Sequence, residues 1–334
     1  TISDEHEEVF LNNEKCGLYL AESSIPNAGL GVFAGVDIDE GMPVSFPDVV
    51  INIIDDARSN SLQQRKKVGI RIQEDEETKQ MLNTRRSWLV NSYVWSSQTT
   101  DAHYEADNVE SMVPGPGMLS NCFPNLANIQ MSPVSVDSAG LHRWSDPGVG
   151  SFSNFHNINF LAKQFIPAGM EFFSEYGEEW FVQREHMFGR IPLSRDYSLA
   201  DKILEKYFDF IGDDINTSFA IDLWKLINQD LIENELVKAA MPASLEDALQ
   251  ARKKDTASHS LPNAVRPIEW LDENGFCLDN IRTGRSMIKQ AGRGAFATRH
   301  MKKGDVIAPA TTLQIHRDDL EIYDEGIQDT LPDH

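Results

Sequence analysis

The chain has 334 residues, of which 41% are hydrophobic, so it can form about two folded domains at ~100–200 residues each. Its 30 Lys and Arg residues face 52 Asp and Glu residues, which gives a net charge of -22. A field of this sign repels phosphate backbones and disfavours direct nucleic-acid binding, whereas it attracts a basic protein segment. General solubility explains the acidity equally well.

Three cysteines are present, at Cys16, Cys122 and Cys277, far apart in the sequence. We therefore expect no disulfide scaffold and no multi-cysteine zinc cluster, and a reducing compartment suits this composition. No apolar run approaches the ~18 residues of a membrane span, and no signal peptide is recognisable. Because the first residue is Thr1 rather than Met, a targeting segment can be missing from the sequence.

The first half of the chain is predicted to be strand-rich, with turn residues between short strands. The charged residues 55–85 are typical of helices, and residues 113–160 are rich in Pro, Gly, Ser and Asn, which indicates irregular chain. The strands are predicted at residues 18–20, 31–34, 44–46, 49–54, 88–95, 103–106 and 160–162.

The second half changes to a helical pattern. Apolar residues recur at helical spacing over residues 199–211 and 223–232, which predicts two helices with apolar packing stripes. Ser244 followed by Leu-Glu-Asp predicts a capping box that opens a third helix. Residues 252–260 are polar and have no periodic pattern, which predicts a linker.

A sequence repeat connects the two ends of the chain. Residues 25–34, Ile-Pro-Asn-Ala-Gly-Leu-Gly-Val-Phe-Ala, recur at residues 288–297 as Ile-Lys-Gln-Ala-Gly-Arg-Gly-Ala-Phe-Ala, and Gly41 recurs as Gly304. The offset is a constant 263 residues without a gap, which predicts a duplicated structural unit. The Gly-x-Gly of the first copy lacks the third glycine and the helix of a dinucleotide fingerprint.

Two further blocks follow the first copy, Leu-Ser-Asn-Cys-Phe-Pro-Asn at residues 119–125 and a Pro-x-Gly…Glu-Tyr-Gly run at residues 167–177. In this order and spacing, the three blocks resemble the SET-domain protein-lysine methyltransferases. Their pattern is A-G-x-G-x-F-A, then N-H-S-C-x-P-N, then P-x-G-E-E-L-T-F-D-Y-G. The resemblance covers about residues 16–185 and is closest to members that lack zinc-binding flanks.

The resemblance implies a mainly β fold with α: small β-sheets and a C-terminal pseudoknot. We predict a SET domain at residues 16–190, a helical segment at 195–252, a linker at 253–265 and a partial second SET-like unit at 266–334. The second unit contains no further motif block. It is therefore either the start of a longer two-SET protein or a vestigial β unit.

The resemblance also implies roles for individual residues. Tyr176 matches the family's catalytic tyrosine, and no metal is expected. The residues that match S-adenosylmethionine-binding positions are Ala28, Gly29, Leu30, Gly31, Leu119, Ser120 and Trp180. Leu119 and Ser120 replace the family's Asn-His pair, so the asparagine's polar contacts to the cofactor are expected to be lost.

The implied activity is methyl transfer from S-adenosylmethionine to a lysine side chain, with S-adenosylhomocysteine as product. The expected partner is a basic protein, favoured as a histone tail, without direct nucleic-acid or membrane binding. The expected location is the nucleus, with an organelle as the alternative, and a homodimer is possible. A non-histone substrate, or a SET-derived scaffold that has lost catalysis, remain the alternatives.

Overall fold

A computed structural model describes residues 15–45, 48–49, 51–54, 69–72, 95–96, 109–112, 115, 119–134, 157–212, 217–289, 291–309 and 320–323. These residues form a mixed α/β structure in which small, mostly antiparallel sheets are combined with helices. Within these ranges, none of the helices has the length and apolar character that a membrane span requires.

The strands form four separate sheets in the orders β10-β1-β2, β11-β12, β13-β5-β4-β7-β6 and β3-β9-β8, and the β4–β5 pair is parallel. Their bounds are β1 (Leu18–Glu22), β2 (Leu30–Ala34), β3 (Asp48–Val49), β4 (Ile51–Ile54), β5 (Gly69–Ile72), β6 (Trp95–Ser96), β7 (Val109–Met112), β8 (Ile129–Val134), β9 (Asn157–Ala162), β10 (Phe276–Cys277), β11 (Ile281–Arg285), β12 (Arg293–Ala297) and β13 (Leu320–Tyr323).

The first hairpin, β1–β2, forms one side of its sheet, and β10 pairs on the other side of β1. Its outer edge is covered by residues 169–172, because Ala34 N–H donates to the Met170 carbonyl at 2.8 Å and Phe172 N–H donates to Val32 at 2.7 Å. Beyond them, Glu171 N–H donates to Ala264 at 2.7 Å. The third motif block is therefore held between the first hairpin and residues 264–266.

Side-chain alternation along β2 separates two apolar clusters. Val32 and Ala34 are fully buried and face Phe160 and Ile166 in the first cluster. Phe33 faces the opposite side, where it packs in the second cluster against Leu271. Both faces of the hairpin are thus buried, which fixes its register against a one-residue slip.

The helices pack around a third cluster. Trp224 is 2% exposed, and the Tyr207 hydroxyl donates to the Ala220 carbonyl at 2.9 Å. The capping box predicted at Ser244 is confirmed, because the Ser244 side chain accepts from the Asp247 N–H. The bounds are α1 (Glu178–Val182), α2 (Glu185–Phe188), α3 (Ser194–Ile211), α4 (Ser218–Leu226), a π-helical turn (Ile227–Leu231), α5 (Glu235–Ala240), α6 (Leu245–Lys254), α7 (Thr256–Ser260), a 3-10 turn (Pro262–Ala264) and α8 (Ile268–Asn274).

Two predicted elements differ in the structure. Residues 253–260, predicted as a linker, form the end of α6 and all of α7, because Asp255 caps α7 and its residues Thr256 and Ala257 are fully buried. The sequence did not predict α7, because few of the contacts of this helix are made by large apolar side chains and no apolar periodicity results. In addition, β5 lies inside the segment predicted to be helical.

Residues 264–277 contact the first hairpin through a β-bridge, a helix and a paired strand. Val265 forms a β-bridge with Met170, α8 packs on the hairpin through Leu271, and Cys277 in β10 lies opposite Tyr19. The Tyr19 hydroxyl also donates to Asp272, and this bond adds to burial in raising the Tyr19 pKa. The predicted boundary of the second unit at residue 266 therefore falls among residues that contact the first hairpin.

The second hairpin, β11–β12, has the same register as the first, with Ile281 opposite Ala297 as Leu18 is opposite Ala34. The turns match as well. Ser23 N–H donates to the Gly29 carbonyl at 2.9 Å, and Ser286 N–H donates to the Gly292 carbonyl at 2.8 Å. The repeated sequence therefore forms the same local structure twice.

The cysteines differ from the expectation of dispersed thiols. Cys16 and Cys277 form a disulfide with a Cα–Cα distance of 5.8 Å across a sequence separation of 261 residues, and Cys122 is free and buried. This disulfide could not be predicted from the sequence spacing, because the two cysteines come together only when β10 pairs with β1.

We expect reduction of this disulfide, or Cys16→Ser, to lower the free energy of unfolding by about 2–4 kcal/mol, since the bond closes a long loop. Thermal melts with and without dithiothreitol measure the effect. Cys122→Ser is the matched control, and that variant should still lose stability on reduction. An unchanged melting temperature after complete reduction would contradict the assignment of a stabilising bond.

Candidate functional site

A buried carboxylate lies where the three motif blocks meet. Glu171 has no exposed surface, and its Oε1 accepts from the Ser23 hydroxyl at 2.7 Å. Its Oε2 accepts from the Ser24 N–H at 2.7 Å and also from the Ser24 hydroxyl. These donors compensate for the removal of the acid from water, which otherwise carries a large desolvation cost.

Gly31 provides the space for this carboxylate. A Cβ built on Gly31 lies 2.1 Å from Glu171 Oε1 and 3.3 Å from Asn121 Nδ2. Any side chain at this position would overlap the carboxylate, so the second glycine of the Gly-x-Gly turn is required by close approach. Glycine is favoured at position 29 for a different reason, because the φ of Gly29 is 80° and lies in the left-handed region.

Asn121 links the second block to the other two. Its Nδ2 donates to Glu171 Oε1 at 3.1 Å and to the Leu30 carbonyl at 2.9 Å. Its backbone forms a parallel bridge with Phe173, and Ser174 N–H donates to the Asn121 carbonyl at 2.9 Å. One amide side chain and one acid therefore fix the turn and the third block relative to each other.

Tyr176 follows this junction and is half-buried. Its hydroxyl donates to the Ser120 carbonyl at 2.8 Å, which fixes the direction of the O–H bond. The centre of its ring lies 5.1 Å from that of the Trp180 ring, and the Arg184 guanidinium lies 4.2 Å from the centre of the Trp180 ring. A tyrosine hydroxyl that donates its proton can also act as a hydrogen-bond acceptor at its oxygen.

The remaining predicted site residues divide between surface and core. Ala28, Gly29 and Leu30 are exposed at the turn, and Ser120 is fully buried. Leu119 packs against the cluster of the first hairpin. The turn and Tyr176 are connected through the adjacent residues Asn121 and Ser120, which contact the two ends of the site.

The residues that hold the site together, namely Glu171, Asn121, Ser23 and Ser24, were not predicted as site residues from the sequence. The available signal was the position of Glu171 between the apolar Met170 and Phe172, because an acid that is buried with such neighbours requires donors nearby. Cys122 beside this network is not a nucleophile candidate, because burial raises the pKa of its thiol to about 12.

The exposed backbone of the turn suits a cofactor better than the side chains do. A Cβ built on Gly29 meets nothing within 4 Å, so a ligand can approach the turn closely. The Asn121 amide is already engaged within the protein, and Leu119 cannot replace an asparagine. The residues present therefore fit a cofactor held by backbone groups and an aromatic ring such as Trp180.

One group of potential metal ligands is present in the described ranges. The sulfurs of Cys16 and Cys277 and a carboxylate oxygen of Asp279 lie within 4.8 Å of one another. The sulfurs are joined to each other, and the Arg299 guanidinium forms a 2.9 Å ion pair with Asp279. We therefore assign no metal to this group.

No protein-family model matches the chain, and no curated protein matches it significantly. Among solved structures, a provisionally named histone methyltransferase of Plasmodium falciparum is 16% identical with a TM-score of 0.27, covering 50% of this chain and 97% of that one. Polycomb Repressive Complex 2 of Chaetomium thermophilum in an autoinhibited state is 19% identical with a TM-score of 0.28, covering 53% of this chain and 17% of that one. TM-scores this low do not identify a shared fold, so the function of this chain has to be inferred from the contacts between its three motif blocks.

Proposed function

We propose that this chain is a SET-type protein-lysine N-methyltransferase that uses S-adenosylmethionine. The observation that carries the proposal is the junction of the three motif blocks, in which Asn121 contacts both Leu30 and Glu171. Blocks that are about 90 and 50 residues apart in the sequence thus meet at one point, next to Tyr176.

S-adenosylmethionine supplies an activated sulfonium methyl group that a neutral amine displaces in line. The protein's task is then to align the amine and to favour its unprotonated form, since a lysine has an ordinary pKa of about 10.4. The Tyr176 hydroxyl donates to Ser120, so its oxygen is oriented to accept an N–H of the lysine. An N–H donated to this oxygen would point the amine lone pair away from the tyrosine.

The aromatic residues next to Tyr176 supply the second requirement. Tyr176 and Trp180 pack at 5.1 Å, and Trp180 packs on Phe181 at 5.0 Å. A channel lined by such rings excludes water. Because an ammonium ion loses more hydration free energy there than a neutral amine does, the channel favours the neutral amine. We assign Ala28, Gly29, Leu30, Gly31, Leu119, Ser120 and Trp180 to the cofactor side of the site, with Leu119 and Ser120 contributing backbone groups only.

The alternative function is a scaffold that keeps the fold and has lost catalysis. Leu119 favours this alternative, because it replaces the asparagine of the SET-domain motif whose side chain would contact the cofactor. Calorimetric titration with S-adenosylmethionine and S-adenosylhomocysteine separates the two functions. We expect saturable binding of both compounds, followed by labelled methyl transfer to core histones or to proteins of a cell extract. Absence of cofactor binding by a folded protein would support the scaffold.

The proposed substrate is a basic protein segment, favoured as a histone tail, which would place the protein in the nucleus. We expect the association rate of a Lys/Arg-rich tail peptide to fall steeply with salt. The net charge of -22 attracts the peptide over a range limited by a Debye length of ~10 Å at 0.1 M salt.

Stopped-flow measurements at two ionic strengths test this prediction. The dissociation rate should change much less, because the channel contacts are short-range. A peptide in which every Lys and Arg except the target lysine is replaced by Gln is the control, and its association should depend little on salt. Equal salt dependence for the two peptides would contradict electrostatic steering.

A further inference from the structure

The second hairpin repeats the first, but among the described residues no strand pairs with its outer edge as residues 169–172 pair with β2. In the first hairpin, Val32 and Ala34 are fully buried under neighbouring chain. At the matching positions of the second hairpin, Ala295 and Ala297 are exposed. Among the described residues, β12 pairs with β11 alone. An open strand edge of this kind is a template for pairing with another chain.

The first hairpin shows which atoms this edge offers. Ala34 N–H donates to Met170, and the Val32 carbonyl accepts from Phe172. The matching groups of the second hairpin are the Ala297 N–H and the Ala295 carbonyl, and no described backbone group bonds to either of them from outside the hairpin. The added strand would run antiparallel, as residues 169–172 do beside β2.

Apolar side chains around the second hairpin are exposed where their counterparts are covered. Met287 is 91% exposed, whereas the matching Ser24 is 7% exposed. Ile307 is 55% exposed, whereas the matching Val44 is fully buried. Ile288 at the turn is 74% exposed. Met287 and Ile288 lie in the turn that joins β11 to β12, so their exposed side chains are accessible to a chain bound at the hairpin.

The charge of the second hairpin is opposite to that of the first. Residues 281–304 contain seven Lys and Arg residues and no Asp or Glu, in a chain whose net charge is -22. At matching positions the acids of the first copy are replaced by basic residues: Glu22 by Arg285, Asp37 by His300, Asp39 by Lys302 and Glu40 by Lys303. All four of the basic side chains are exposed.

We propose that the second hairpin binds an extended acidic segment of another polypeptide, which adds to β12 as an antiparallel third strand. Strand addition supplies backbone hydrogen bonds, and side-chain complementarity supplies specificity. The internal copy indicates an acid opposite Phe296, as Glu171 lies opposite Phe33. Ser286 and Gly294 are retained at the positions of Ser23 and Gly31.

A basic surface can also attract nucleic acid, but two observations favour a polypeptide. Nucleic acid makes no use of an open strand edge, and the exposed Met287 and Ile288 lie at the turn among the basic residues. A peptide with alternating acidic and apolar side chains can pair with the strand edge through its backbone. Its apolar side chains can contact the exposed apolar residues, and its acids can pair with the basic residues.

The test uses a fluorescent peptide with the sequence of residues 166–179, which carries four Glu and no Lys or Arg. Binding to the whole chain is measured by anisotropy. Ala297→Pro removes the outward N–H, and Ala297→Ser keeps it as the matched control. We expect the proline variant to bind at least about tenfold more weakly than the serine variant, the size of one lost hydrogen bond.

A second variant, Lys302→Glu with Lys303→Glu, tests the charge without changing the backbone, since both side chains are exposed. We expect it to bind the peptide more weakly and with less dependence on salt. Equal binding by Ala297→Pro and Ala297→Ser, or tighter binding of a single-stranded oligonucleotide than of the peptide, would overturn strand addition. Self-association that Ala297→Pro abolishes in the absence of peptide would identify a second copy as the occupant and overturn the proposed partner.

Discussion

Tyr176→Phe is expected to reduce methyl transfer by about 100-fold or more while leaving the fold and the affinity for S-adenosylmethionine unchanged. The substitution removes only the hydroxyl that donates to Ser120 at 2.8 Å. Without this oxygen the amine is held in the channel with no fixed lone-pair direction, and a loss of alignment on this scale costs about two orders of magnitude. The ring that packs on Trp180 remains in place.

The measurement is single-turnover transfer of a labelled methyl group, together with calorimetric cofactor binding and a thermal melt. Tyr207→Phe is the matched control, because it removes a similar hydroxyl-to-carbonyl bond, to Ala220 at 2.9 Å, in the helical segment. That control should lose some stability and keep its turnover per folded molecule. Turnover by Tyr176→Phe close to that of the wild type would exclude the catalytic role of the hydroxyl.

The hairpins and helices could be predicted because their signals are local. The alternating pattern and turn glycines fix β1–β2 and β11–β12, and the apolar spacing fixes α3 and α4. Side-chain alternation then explains why Val32 and Phe33 enter different clusters. For these elements, the physical information lies within about ten residues of chain.

The organisation of the site could not be predicted in the same way, because it depends on distant pairings. Glu171 and Gly31 meet only after residues 169–172 pair with β2, and Cys16 meets Cys277 only after β10 pairs with β1. The motif blocks indicated which segments converge, but not the acid that joins them. The helix α7 was missed for a related reason, since small buried residues such as Ala257 leave no apolar pattern.

Gly31→Ala is expected to destabilise the protein by about 3 kcal/mol and to abolish cofactor binding, because its Cβ would lie 2.1 Å from Glu171 Oε1. The carboxylate cannot swing away without breaking its bonds to Ser23 and Ser24. Gly29→Ala is the matched control, since its Cβ meets nothing within 4 Å and it incurs only the strain of a left-handed backbone, about 1–2 kcal/mol.

A double-mutant cycle shows whether the carboxylate is the cause. Glu171→Ala alone should also be destabilising, because it leaves the buried donors of Ser23 and Ser24 without their acceptor. Once the acid is gone, however, the Gly31→Ala methyl group has space. The double variant should therefore be no less stable than Glu171→Ala alone, as measured by urea unfolding. Additive losses would mean that the backbone at Gly31, rather than its approach to Glu171, requires glycine, and the acid would then lose its place as the group that joins the three blocks.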